Sequence, residues 1–435
     1  MPHMRTRTRS FGRRALLLAS AGLTMLALGA RPAAATPNYV FAGTIAIPAA
    51  ATNKAGTFTG YDLATFDATT QLYYLTDRSN NGIDVFSAKT NSYVERIGAG
   101  LFSGTQGGNN DIAGPNGIGI TNVGAGKLLL TSNGTSTVQT FNLASDGLTV
   151  LSTPAAVSTA VAGTPAPANR VDGVAYSPTA NTILAANNAS NPGFVTLINN
   201  ADGSVLKSIL LNGTNGYPNV NGDGVEATIF NTKRGTFFVA VPVFNGSGSG
   251  GAIELDAATG ALLNTYDFNK LGLTGSCSPT GVAQGAGASM VVACSDPSNG
   301  VQSILLDPTG TGSIKQIAGI SGGDQVAYDP TRDVFFEAAR FQPGGPTLGI
   351  IDGATGLLTQ TLGITGNDHS VAVDPVSGEV FVAFGAAIGA GIPNPYCPQF
   401  GCIGVFAVQV PEPASLPLMG LALAGLGLVT LRRRA

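Results

Sequence analysis

The chain contains no tryptophan and only two histidines, His3 and His369, in 435 residues. A multi-histidine metal centre and a c-type haem attachment motif are therefore excluded. Charged residues make up 11% of the chain against 44% hydrophobic ones, so it has enough apolar material for a large core and is not disordered by composition. No stretch between Thr36 and Val410 sustains the apolar period of a helix. What is abundant is glycine, 60 residues, which is roughly twice the usual share.

The two ends read as addresses. Arg5, Arg7, Arg9, Arg13 and Arg14 precede an apolar run from Ala15 to Leu28 and then Ala33-Ala34-Ala35. This is the basic, apolar and small-residue order of an export signal, with cleavage expected after Ala35. Arg13-Arg14 lacks the rest of a twin-arginine consensus, so the general secretory route is expected. At the other end Pro411-Glu412-Pro413 leads into apolar residues from Leu416 to Leu431 and then Arg432-Arg433-Arg434. Sixteen helical residues span about 24 Å, slightly short of a bilayer core. Without the two ends, thirteen basic residues face 24 acidic ones, a net charge near −11. A phosphate backbone would be repelled, which argues against nucleic-acid binding.

The C-terminal order of Pro-Glu-Pro, membrane stretch and basic tail resembles a PEP-CTERM sorting signal. The resemblance covers only the last 26 or so residues. It implies export from a Gram-negative cell, transient insertion in the inner membrane, removal of the tail by an exosortase-type enzyme, and delivery to the cell envelope, cell surface or extracellular matrix. The expected division is 1–35 signal, 36–409 folded body and 410–435 sorting signal.

Short Val, Ile, Leu and Phe runs punctuated by Gly, Asn, Asp and Pro mark the body as strands and turns. The unit Asp324-Gln325-Val326-Ala327-Tyr328-Asp329-Pro330 with Val334-Phe335-Phe336 returns as Ser370-Val371-Ala372-Val373-Asp374-Pro375 with Val380-Phe381-Val382. It also occurs as Asp172-Gly173-Val174-Ala175-Tyr176-Ser177-Pro178 with Ile183-Leu184-Ala185. Weaker copies near Asp62, Asn116, Asp223 and Thr280 bring the starts to seven, spaced by about 44 to 57 residues, the spacing of four-stranded propeller blades. After Asp368 only three strands remain, and the missing fourth is found at Tyr39 to Ile47. The expectation is an all-β, seven-bladed β-propeller closed by an N-terminal strand. Tyr74-Leu75-Thr76-Asp77 with Ile83-Asp84-Val85-Phe86, and the hairpins Asp256 to Gly260 and Asp352 to Gly356, resemble YVTN-type propeller repeats. That resemblance implies a seven-bladed ring and little about chemistry.

Long loops at Gly98 to Pro115, Thr153 to Val171, Asn212 to Gly222, Pro242 to Gly250 and Gly385 to Cys402 fall on one face, which is where function is expected. The residues opening the innermost strands read Asp62, Asn116, Asp172, Asp223, Thr280, Asp324 and His369. Convergent oxygens would suit Ca²⁺ or Mg²⁺ at the channel mouth; alternatively the same residues bind nearby backbone N–H groups and shape each turn. His369, the sole histidine of the body, is a candidate general base or a turn residue. Cys277 with Cys294, and Cys397 with Cys402, are expected disulfides in an oxidising compartment. Three functions remain: a non-enzymatic surface propeller binding a partner protein or polysaccharide, a hydrolase or lyase resembling lactonase-type propellers with a channel-mouth cation, and an inert matrix component. A quinone-dependent dehydrogenase is disfavoured, because propellers of that type stack the cofactor on tryptophan.

Overall fold

The computed structural model describes residues 37–409, apart from 167–168, 221–223, 247, 296–301, 390–391 and 398–399. The export signal and the sorting segment lie outside the described residues, and no described helix is long and apolar enough to cross a membrane.

Seven four-stranded antiparallel sheets form the body. Blade 1 runs outward through Tyr61–Asp67, Leu72–Asp77, Gly82–Ser87 and Ser92–Ile97. The second strand is buried throughout, whereas the outermost carries exposed and half-buried residues up to a buried Ile97. The difference follows from position. A middle strand has a blade on each face and reads as a continuous apolar run such as Leu72-Tyr73-Tyr74-Leu75, while the outer strand meets water. Seven apolar clusters hold the body, each joining two consecutive blades, so the core is a set of slabs between sheets.

Short Asp-led hairpins make the opposite face. The Asp256 carboxylate accepts the N–H groups of Ala258 and Thr259 and the Thr259 hydroxyl, and Gly260 takes φ +63° to re-enter the next strand. Asp352 repeats the device with Thr355, and Gly356 stands at φ +62°. The carboxylate thereby satisfies turn donors that the sheet cannot reach.

The last blade joins the ends of the body. Val371–Val373, Val380–Phe384 and Cys402–Val408 are completed by Tyr39–Ala46, paired from Tyr39 with Val408 to Ala46 with Cys402. Gln360 in blade 6 fastens this closing strand from the side. It accepts the Tyr39 N–H at 2.8 Å and donates to the Tyr39 carbonyl at 2.7 Å, imitating a strand neighbour. The Tyr39 ring meets Phe336 edge-on, with centroids 5.0 Å apart.

Cys277 is bonded to Cys294, and Cys397 to Cys402. The first bridge ties the entry of blade 5 to the end of its second strand, Met290–Cys294. The second staples the long loop of blade 7. One expectation needs correction: the stretch from Thr153 to Val171 is not all loop, because Ala155–Ser158 is the outermost strand of blade 2. Its alternation is too short and its flanks too rich in Ala, Thr and Pro to announce a strand.

Glu337 is an uncompensated group in the core. It lies in Val334–Ala339, fully buried; Ser303 Oγ donates to Oε1 at 2.7 Å and Oε2 has no hydrogen-bond partner among the described residues. Burial pushes its carboxyl up from 4.5 to about 7. Between these values the folded chain holds a proton that the unfolded chain has released, so this group lowers stability as pH rises through that window. Glu337→Gln is expected to be near-neutral at about pH 5 and stabilising by about 2–3 kcal/mol at about pH 8. Thermal melts of both proteins across this range check it. Gln360→Ala removes both bonds to Tyr39 and is expected to destabilise by about 1–2 kcal/mol, visible as a lower melting temperature.

Candidate functional site

The innermost strands follow one hydrogen-bond rule. Within a blade, the N–H groups of Asn116, Asp172 and Asp324 donate to the carbonyls of Ser132, Ala186 and Ala338 at 2.7–3.0 Å. One residue further on, the chain reaches the next blade: Gly117 N–H donates to Asp172 O at 3.2 Å and Gln325 N–H to His369 O at 3.1 Å. These contacts bring the strand entries into a ring around the channel. A Cβ on Gly117 would stand 2.2 Å from Asp172 O, and one on Gly281 would stand 1.8 Å from Asp324 O. At Gly117 and Gly281 only glycine fits this approach, whereas Gln325 makes it with a side chain in place.

The same rule identifies the fourth member as Glu226. Its N–H donates to Ala240 O at 3.1 Å, and Ala227 N–H reaches Thr280 O at 3.1 Å. Asp223 lies outside the described residues, three positions upstream. Asp223-Gly224-Val225 imitates Asp172-Gly173-Val174, but Gly224 stands at φ +70° and a Cβ there would meet Asn188 O at 2.2 Å, a loop position. The ring therefore reads Asp62, Asn116, Asp172, Glu226, Thr280, Asp324 and His369.

Three arginines that sequence reasoning passed over face this ring. Arg78 pairs with Asp62, and its Nε and Nη2 also donate to Asn116 Oδ1 at 3.0 and 2.7 Å. Arg340 Nη2 is 2.8 Å from Asp324 Oδ2. Arg170 Nη2 is 3.9 Å from Asp172 Oδ2 and donates to Asn188 Oδ1 at 2.5 Å, while Asn188 Nδ2 donates to Glu226 Oε1 at 2.6 Å. A positional signal existed. Arg78 and Arg340 are each the first residue beyond a second strand, Leu72–Asp77 and Val334–Ala339.

These pairings set the charge states. Burial works against ionisation of Asp62, but the Arg78 guanidinium and the contact with His369 outweigh it and hold the carboxyl well below the usual carboxylate range. Glu226 moves the other way. Burial first, then the nearby Asp172 and Asp324 carboxylates, push it well above the ordinary value. Asp368, just behind the ring, is raised by burial to about 7. It accepts from Tyr61 Oη at 3.1 Å and from the Thr365 N–H and hydroxyl at 2.7 and 2.8 Å.

His369 is held on every side. Its ring stacks on Tyr61 at 4.7 Å, and Tyr61 stacks on Phe58 at 4.7 Å. Nδ1–H donates to Asn367 O at 2.6 Å, and Nε2 lies 3.6 Å from Asp62 Oδ1. Thr280 Oγ1 donates to Gly323 O at 3.0 Å and ties blade 5 to blade 6.

The ring opens into a cavity of about 770 Å³ whose walls carry Asp62, Arg78, Arg170, Asp172, Glu226, Asp324, Arg340 and His369. Among the described residues no three His, Cys, Asp or Glu side chains gather as a metal site would. Asp62, Asp172 and Asp324 each direct their charge to a guanidinium. Carboxylate acceptors and guanidinium donors thus meet on the cavity wall, an arrangement suited to groups that both donate and accept, hydroxyls above all.

Arg78→Met leaves Asp62 buried without its cation and is expected to destabilise by about 3–5 kcal/mol near neutral pH. Adding Asp62→Asn should recover most of the loss. Denaturant melts of the two single variants and the double variant measure the coupling.

Residues 409–434 match the family described as the PEP-CTERM protein-sorting motif. No curated protein matches the chain by sequence. Among solved structures, the WD40 repeats of RRP9 superpose with a TM-score of 0.57 at 10% identity, covering 81% of this chain and 95% of that one. Hydrazine synthase of Kuenenia stuttgartiensis gives 0.57 at 13% identity over 76% and 92%. The Pan2 WD40 domain of Neurospora crassa gives 0.55 at 10% identity over 86% and 97%. Identities this low show the fold alone, and none of these likenesses singles out the YVTN type of repeat. The chain thus joins a seven-bladed β-propeller to a C-terminal PEP-CTERM sorting motif, which implies exosortase processing and marks an exported protein of the Gram-negative cell envelope.

Proposed function

We propose that this envelope propeller is a non-enzymatic binding protein, held at the cell surface or in the extracellular matrix, that takes up a polysaccharide or a surface partner on its long-loop face. The observation that carries this reading is the 770 Å³ channel cavity, whose mouth carries carboxylate and guanidinium groups that already pair with one another. Such walls are preorganised and close to neutral. They offer adjacent acceptors and donors without requiring a counter-ion. A Ca²⁺ or Mg²⁺ ion at the same ring would compete with Arg78 and Arg340 for their carboxylates, which weighs against the lactonase-like hydrolase. His369, clamped by Tyr61 and Asn367, supports the mouth from behind.

The test uses the processed protein exported by a Gram-negative host, titrated calorimetrically with that host's extracellular polysaccharide. Binding is expected, with no change in the recovered polymer, and Asp324→Asn combined with Arg340→Gln should weaken it at least about tenfold, roughly 1.4 kcal/mol. Cleavage of a polymer or lactone that stops on chelation and returns with Ca²⁺ or Mg²⁺ would establish the hydrolase instead. Neither binding nor turnover would leave a structural matrix component and overturn the proposal.

A further inference from the structure

The cavity wall carries one aromatic ring that the core does not use. Phe341 is 48% exposed, whereas the other aromatic side chains on the wall, Tyr61, Phe66 and Tyr328, are buried or half-buried. It belongs to none of the apolar clusters between blades. The ring nevertheless sits on a fixed backbone. Phe341 N–H donates to Gly322 O at 3.0 Å, and Gln342 next to it anchors the turn by accepting the Ser321 N–H at 2.8 Å and donating to Gly319 O at 3.0 Å. Leaving a large ring open to water on an ordered loop forgoes apolar burial that the fold gains elsewhere. Such a ring, on the wall of a polar cavity, offers an aromatic face and edge to whatever enters it.

Its surroundings define what it would contact. The Arg340 guanidinium lies over the ring, 4.7 Å from its centroid. That guanidinium also reaches Asp324 Oδ2 at 2.8 Å and Asn367 Oδ1 at 3.3 Å. One face of the ring is thus covered by the guanidinium, and its exposed remainder is bordered by a carboxylate, an amide and that guanidinium, which can meet groups around the rim of whatever lies on it. A pyranose has this complement: an apolar C–H face that stacks on an aromatic ring, and equatorial hydroxyls that each donate and accept at its edge.

We infer that Phe341, with Arg340, Asp324 and Asn367 around it, is a stacking subsite for a neutral hexopyranose unit of a polysaccharide. The inference rests on the binding reading above and narrows it to one ligand class. Neutral rather than acidic sugar follows from charge. Arg340 is already matched by Asp324, as Arg78 is by Asp62, so the mouth has no surplus cation for a uronate. The body as a whole, thirteen basic residues against 24 acidic ones, repels a polyanion.

The experiment titrates the processed protein with two probes, neutral gluco-oligosaccharides (cello- and malto-series) and oligogalacturonates of matching length. Neutral oligomers are expected to bind at least about tenfold more tightly than acidic ones. Phe341→Ala should weaken that binding about tenfold with an unchanged melting temperature, and Phe341→Trp should retain it. Tighter binding of the galacturonates, full affinity in Phe341→Ala, or no binding of either oligomer would overturn the subsite. If the host polysaccharide still binds in those cases and the Asp324/Arg340 double variant still loses it, the broader reading stands. If the host polysaccharide fails as well, both fall.

Discussion

Everything in this protein depends on one strand pairing between distant parts of the chain, Tyr39–Ala46 against Cys402–Val408. Each blade buries its faces only against its two neighbours, so a blade with one neighbour would leave an apolar slab in water. Seven slabs need seven interfaces, and the seventh forms only when the ring shuts. The N-terminal strand pairs with Cys402–Val408, which would otherwise be the outer edge of the last blade, and Gln360 holds it from blade 6. A long-range contact of this kind forms late, because its loop-closure entropy must be met before it contributes.

Closure also explains the site. Drawing seven strand entries into a narrow ring places seven polar side chains at close quarters, and four of them are carboxylic acids. Like charges crowded in this way cannot all remain ionised and uncompensated. The conflict is met by two routes: guanidinium partners for Asp62, Asp172 and Asp324, and a Glu226 carboxyl pushed well above its ordinary value by burial and its neighbours. The near-neutral polar mouth is the outcome of both.

The fold was readable because its signals are local and repeated. Apolar runs and Asp-led hairpins recur around the ring, the Asp-x-Val-Ala-Tyr unit of two blades sets the phase, and the missing strand of the last blade could be found by counting. The site was only partly readable. Asp62, Asn116, Asp172, Thr280, Asp324 and His369 lie where the repeat phase puts them. The fourth blade misled, since Asp223-Gly224-Val225 copies the pattern three residues early and only the hydrogen-bond ladder distinguishes Glu226. The arginines were missed for a different reason. Arg78 and Arg340 each follow the second strand of a blade directly, a shared position that marks two of them, whereas Arg170 comes from a loop, and the convergence of all three on the ring is a product of curvature. Phe341 was illegible for the same cause: in sequence it is one apolar residue among many, and only its exposure beside Arg340 sets it apart.

The strand that leads to the sorting motif has a mechanical consequence. Cys402–Val408 is not an edge. It is laddered to Val380–Phe384 on one side and to Tyr39–Ala46 on the other, and Gln409 N–H still reaches Asn38 O at 2.7 Å. Tension applied through the C-terminal segment therefore enters the ring along a strand gripped on both flanks, with Cys402 bonded to Cys397 at its far end. Drawing that strand out would have to break two ladders together.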